Sequence, residues 1–191
     1  LGHEEVQQML NRLQRTAPKL VEDLVPKALP MSIVVKVLQN LLGERVPIRN
    51  LRTICETLAE HAPRTQDPLV LTAAVRVALS RALVQAISGL RSDLPVITLE
   101  PQLEQVLGDA MQGADGGPGI EPGLADRMHQ AIADSARRQE MNGEPAVLLV
   151  APKLRPWLAR LMKHAAPGLS VLAYNEIPEN RRVRVVAAVG R

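Results

Sequence analysis

AVLLVAPKLRPWLARLMKHAAPGLSVLAY, residues 146–174, changes structural period twice within one stretch. Ala146 to Val150 is a compact apolar run of strand length, the kind that a sheet buries on both faces. Pro152 to Ala165 switches to helical spacing, with Leu154, Trp157, Leu158 and Leu161 on the inward side and the basic residues outward. Leu169 to Tyr174 is short and apolar again. Strand, helix and strand in that order predict a parallel crossover unit, because parallel neighbours need a long connection and helices supply it. The C-terminal half is therefore not a continuation of an all-helical protein.

Working outward, Arg182 to Val189 reads as a further strand and Leu94 to Leu99 as an earlier one. Glu100-Pro101 starts a helix that stops near Gly113. Pro122 and Leu124 begin a long amphipathic helix to Met141, closed by Asn142-Gly143. Everything before Gly89 reads as helix punctuated by proline. His3 to Arg15 puts Val6, Met9, Leu10 and Leu13 on one face, and Leu20 to Val25 is one or two turns between Pro18 and Pro26. Met31 to Leu42 is an apolar helix stopped by Gly43. Pro47 to Ala62 carries a buried stripe of Ile48, Leu51, Ile54, Cys55, Leu58 and Ala62 opposite Arg49, Arg52, Glu56 and Glu60. Asp67-Pro68 caps a helix expected to run unbroken to Ser88. The expected fold is α+β: a proline-punctuated helical bundle, then a small α/β domain with a short mixed sheet. The boundary between the two parts is expected near residues 89–93.

Composition narrows the function classes. The chain has 191 residues, of which 46% are hydrophobic but only 1% aromatic: Trp157, Tyr174 and no Phe. A core of Leu, Val, Ile, Ala and Met follows, and a base-stacking nucleic-acid platform does not. The net charge is +3, and it is unevenly spread. From Ala151 onward Lys153, Arg155, Arg160, Lys163, Arg181, Arg182, Arg184 and Arg191 face only Glu176 and Glu179. The single cysteine, Cys55, excludes an internal disulfide and fits a reducing compartment. No apolar run approaches the ~20 residues of a membrane span, and no signal peptide is visible. The opening Leu1-Gly2-His3 without an initiating Met is what a piece of a longer chain would show.

The search for chemistry finds little. His3-Glu4-Glu5 lacks a second histidine one turn on, and His61, His129 and His164 are widely spaced, so solvated helix positions explain them better than a metal. Asp126, His129 and Ser135 share a helix, but that spacing points them to different faces. The glycines from Gly113 to Gly123 are preceded by a helix and followed by Leu124-Ala125-Asp126, where a phosphate loop needs a strand before and a Lys-Ser/Thr pair after. A connector is the better reading. Lys153, Arg155, Arg160 and Lys163 form a cationic helix face, which is either a solvated surface or a docking patch for an acidic partner. No catalytic, cofactor-binding or metal residue is expected.

Val46-Pro47-Ile48-Arg49-Asn50-Leu51-Arg52-Thr53-Ile54-Cys55-Glu56-Thr57-Leu58-Ala59-Glu60-His61-Ala62-Pro63 closely resembles a signature segment of the FlhA family of type III export-gate proteins. Pro18 to Pro26, Leu71 to Leu83, Ile120 to Asp126, and the ending from Asn175-Glu176-Ile177-Pro178 through Val185 to Gly190 resemble the same family in order. Cys55 departs from it, standing where a larger aliphatic residue is expected.

The resemblance implies a non-enzymatic docking platform without cofactors, facing the cytoplasm beneath the bacterial inner membrane. It implies membrane spans in a region preceding Leu1, and a homo-oligomeric, nonameric ring. It implies in addition that residues 1–15 are the linking tail of a preceding subdomain, 16–89 the helical subdomain and 90–191 the α/β one. Implied partners are export substrates and their chaperones, soluble components of the ATPase complex and other export-gate subunits. The segment's wording favours the flagellar system over a virulence type III secretion system, and a basic nucleic-acid-binding protein is the rival of a different class. Arg49, Arg52 and Glu56 become candidates for ring contacts, with local ion pairs as their plain alternative. Lys153, Arg155, Arg160 and Lys163 become candidates for partner docking.

Overall fold

The computed structural model describes residues 1–112 and 119–190, so Gly113 and most of the expected glycine connector lie outside the described residues. Two compact units result, Leu1–Leu83 and Val84–Arg191.

The first unit is helical. α1 (His3–Gln14) opens with the Glu5 carboxylate accepting the Gly2 N–H at 2.9 Å, and buries Val6 and Leu10. α2 (Pro18–Glu22) starts on its proline, whose missing N–H costs nothing in a first turn. Asp23–Ala28 is a wide π-type turn rather than a regular helix, since Val25 is extended ahead of Pro26. α3 (Met31–Gly43) buries Val34, Val35, Val37, Leu38 and Leu41. Its stop is not Gly43. Gly43 is still helical, and the left-handed residue is Arg45 at φ 62°. The Arg45 and Val46 N–H groups donate back to Leu42 and Leu41 at 3.0 and 2.9 Å, which closes the helix end.

α4 (Leu51–His61) begins one turn later than Pro47, where the Asn50 side chain accepts the Thr53 N–H at 3.3 Å. The expected stripe is otherwise in place, with Leu51, Ile54, Cys55 and Leu58 buried. α5 (Pro68–Ala78) is capped by Asp67, which accepts the Leu69 N–H at 2.9 Å. The helix expected to continue to Ser88 breaks instead at Leu79 (φ −95°, ψ 10°), and α6 (Ser80–Ser88) follows. Neither Gly nor Pro marks that break. Leu79 and Leu83 are both buried, so tertiary packing sets the bend rather than local propensity. The division between units falls inside α6, a little before the glycine at which the sequence suggested it. Among the described residues no single helix is long and apolar enough to cross a membrane.

The second unit is built on β1 (Asp93–Leu99), α7 (Pro101–Met111), α8 (Pro122–Met141), β2 (Val147–Val150), α9 (Arg155–Met162), β3 (Ser170–Ala173) and β4 (Arg182–Val189). The four strands are ordered β3-β2-β1-β4, and every pairing is parallel. The α+β class therefore holds, but the sheet is not mixed. β4 comes to lie beside β1 by running from the same end, so it extends the crossover topology instead of folding back as a hairpin. Ile97, Leu99, Leu148, Val150, Val171 and Val189 meet Leu103, Leu107, Met128, Ile132, Leu158 and Met162 from the helices in one core. The alternating Leu94, Val96, Val147, Leu149 and Leu172 are buried too, which is why these strands read as continuous apolar runs. Beyond the end of α8, Gly143 is left-handed at φ 72°, and the Glu144 N–H donates back to the Gln139 carbonyl at 3.0 Å.

Candidate docking surfaces

In the helical unit the polar face of α4 is exposed as expected, but it is partly self-satisfied. Arg52 Nε lies 3.2 Å from Glu56 Oε1, an i,i+4 pair open to solvent. Such a pair stabilises a helix by only a few tenths of a kcal/mol, about 0.3–0.5. Arg49 sits before the helix, exposed, with no carboxylate within ion-pair reach among the described residues.

α5 offers something the charge reading missed. It packs beside α3 through Asn40 Nδ2 to Thr72 Oγ1 at 3.2 Å and through Arg76 Nη1 to Glu44 at 3.8 Å, burying Leu71, Thr72, Val75 and Arg76. Its other side stays apolar in the open: Leu69 is 55% exposed, Val70 50% and Val77 38%, with Ala73 exposed between them. Positions 69, 70, 73 and 77 share one helical face. A helix apolar all round is normally a buried one, and a contiguous exposed apolar face marks a contact. The sequence carried the signal: PLVLTAAVRVA, residues 68–78, contains one charged residue.

In the second unit Lys153, Arg160 and Lys163 are exposed, but Arg155 is not part of their face. This corrects the sequence reading. Helix α9 begins at Arg155, not at Pro152, so the arginine sits in the first helical position and turns toward β3. Its Nη1 donates to the Val171 carbonyl at 3.3 Å, and its Nε lies 3.9 Å from Glu176 Oε2. Arg155 is 4% exposed and Glu176 2%. Glu176 Oε1 in turn accepts the Ala173 N–H at 3.0 Å. A buried guanidinium is tolerable only with such partners. The clue in the sequence was that Glu176 is one of two acids in a strongly cationic stretch.

A second polar pair lies at the C-terminal ends of β2 and β3. Tyr174 donates its hydroxyl to Glu104, 2.7 Å from Oε2, and the Ala151 N–H reaches the same oxygen at 3.3 Å. Desolvation and the Glu104 carboxylate push the Tyr174 hydroxyl up to about 12. Lys153 lies across Gly108, where an added Cβ would meet its Cε at 3.4 Å.

At the opposite end of the sheet Arg184 bridges Asp93 at 2.8 Å and Glu144 at 2.7 Å, and its guanidinium lowers the Asp93 carboxyl below its ordinary value. Cys55 is buried and its thiol is pushed up to about 12 by desolvation, which makes it a packing residue. Ser135 is buried and accepts from Arg138 Nη2 at 3.1 Å, apart from any triad. Among the described residues no group of three His, Cys, Asp or Glu side chains is placed to hold a metal.

The family described as the FHIPEP family matches residues 1–182. The flagellar biosynthesis protein FlhA of Salmonella typhimurium is 49% identical over 189 residues, covering 99% of this chain and 27% of that protein. Two solved structures superpose closely. Nonameric SctV-C of EPEC gives a TM-score of 0.87 at 26% identity, covering 98% of this chain and 57% of that one. The Chlamydia pneumoniae CdsV and CdsO complex gives 0.87 at 27%, covering 100% and 55%. The chain thus spans about a quarter of the length of its flagellar relative.

Proposed function

The chain belongs to the FHIPEP family, and from that premise we propose that it is the C-terminal docking part of a type III protein export gate, working as a ring subunit and not as an enzyme. The observation that carries the ring is the exposed apolar face of α5, Leu69, Val70, Ala73 and Val77. A second copy of the chain is its occupant. The likeness to nonameric SctV-C supports that choice. Arg49, an exposed cation ahead of α4, is the candidate charged ring contact, while Arg52 and Glu56 are held by each other.

The system is flagellar: identity to flagellar FlhA is 49%, against 26% to SctV-C. The gate's membrane region precedes this chain and puts it on the cytoplasmic side of the inner membrane. Residues 1–15 are the tail of a preceding subdomain, 16–89 the helical subdomain and 90–191 the α/β one. The whole protein receives export substrates, their chaperones and soluble components of the ATPase complex, with the α/β subdomain facing acidic export partners, and the CdsV and CdsO complex supports a docking role for this fold. Lys153, Arg160 and Lys163 are its cationic contacts.

The test is made in the full-length protein. Val77→Asp with Leu69→Asp should abolish ring particles in mass photometry and stop flagellar export, with helical circular dichroism unchanged. Triple reversal of Lys153, Arg160 and Lys163 to Glu should leave the ring and weaken capture of soluble partners. Rings that persist with both α5 substitutions would remove the reading. A steep salt-dependent gel shift with DNA would instead favour the nucleic-acid rival.

A further inference from the structure

β4 is the outermost strand of a parallel sheet, and among the described residues no strand pairs with its far edge. Register fixes which way its side chains lie. Val183 is opposite Leu94 and Val185 opposite Val96, so the valines share the face on which those two residues are fully buried. Yet Val183 is 38% exposed and Val185 58%. Val183 and Val185 thus form an apolar ledge beside the outer backbone edge of β4.

The other face of the same segment is cationic. Arg182 and Arg184 alternate with the valines, opposite Asp93 and Pro95. Arg184 already holds Asp93 and Glu144. Arg182 has no carboxylate within ion-pair reach among the described residues. Arg181 spends its guanidinium on the Ser88 hydroxyl and the Arg91 carbonyl, while Arg91 donates to the Gly143 carbonyl and its charge acts on Asp93. The acid on this face is Asp93, opposite Arg182 and already held by Arg184. A register shift between Val96 and Ile97 ends the regular ladder, so the even stretch is Arg182 to Val185.

We propose that this edge docks an extended protein segment in which acidic residues alternate with branched apolar ones. Added as a fifth strand, such a segment satisfies the open backbone groups of β4. Its apolar side chains cover Val183 and Val185, and its carboxylates fall on the Arg182 face. The two-residue alternation of β4 dictates the alternation of the partner. A helix cannot meet both faces at once, and a block of acids meets only one.

The test uses the 191-residue chain and three synthetic heptapeptides: alternating Val-Glu, the same composition as separate Val and Glu blocks, and alternating Val-Lys. Backbone NMR and amide exchange are the readouts. The alternating Val-Glu peptide should bind saturably and slow exchange within residues 182–185. Arg182→Glu should weaken it about fivefold, as should Val183→Thr with Val185→Thr, each removing contacts of the cross-strand kind. The threonines keep branched strand formers at exposed positions, so the fold survives. Equal binding of the block peptide, or binding without protection of 182–185, overturns the proposal. Self-association abolished by the double threonine variant also overturns it, by making a second copy the occupant.

Discussion

Arg155→Met tests whether the buried arginine is structural or part of a docking patch. At 3.9 Å and an effective dielectric near 20, the Arg155–Glu176 attraction is roughly 4 kcal/mol before desolvation is counted. Desolvation offsets much of that while both ions are present. Removing the arginine alone leaves the Glu176 carboxylate buried at 2% exposure without its guanidinium partner, and takes one donor from the Val171 carbonyl. Truncating one partner of such a pair costs about 3–5 kcal/mol, a large share of the about 5–15 kcal/mol that holds a domain together. Arg155→Met with Glu176→Leu should cost clearly less than the sum of the single changes, because the double variant strands no charge. Trp157, the sole tryptophan, lies two residues along α9, so its fluorescence in urea reports this unit's unfolding selectively. Arg155→Met costing under about 1 kcal/mol, or a strictly additive double variant, would refute the reasoning. Partner capture lost with stability intact would restore Arg155 to the surface patch.

Three further outcomes follow from local geometry. Gly143→Ala should cost about 1 kcal/mol in urea, because its φ is 72° with open space around the added methyl, while Gly43→Ala should be neutral or stabilising, since Gly43 is helical. The Asp93 carboxyl is lowered by Arg184, so its stabilisation is complete above the unfolded value of about 3.9 and is lost as pH falls through the folded one. Asp93→Asn should therefore flatten the acid limb of a melting-temperature profile and leave the neutral plateau's shape unchanged. Tyr174, the only tyrosine, should show no phenolate absorbance until well above pH 10, and Glu104→Gln should bring its titration back toward the ordinary value.

Elements whose identity is set by their own residues were legible beforehand. The stripe of α4, the apolar run of β2 and the Asp67-Pro68 start of α5 each carry their cause locally, as period, burial or cap. What escaped was set by contacts distant in sequence. The break at Leu79 has no breaker residue, and the side of α9 taken by Arg155 depends on Glu176, 21 positions away on the loop after β3. Strand direction for β4 is a property of topology that no single strand encodes. The docking surfaces show the same division. Charge drew attention to Arg52 and Glu56, which satisfy one another, whereas the uncharged exposed face of α5 looks in sequence like any core helix.

The ring claim is tested most directly by photo-cross-linking in the full-length protein, with a photoreactive residue at Val77 and a control at Glu60 on the polar face of α4. Val77 should give a ladder of covalent multimers built of this chain alone, and Glu60 should give far less. A Val77 product containing only other proteins, or no product from assembled export gates, contradicts the account.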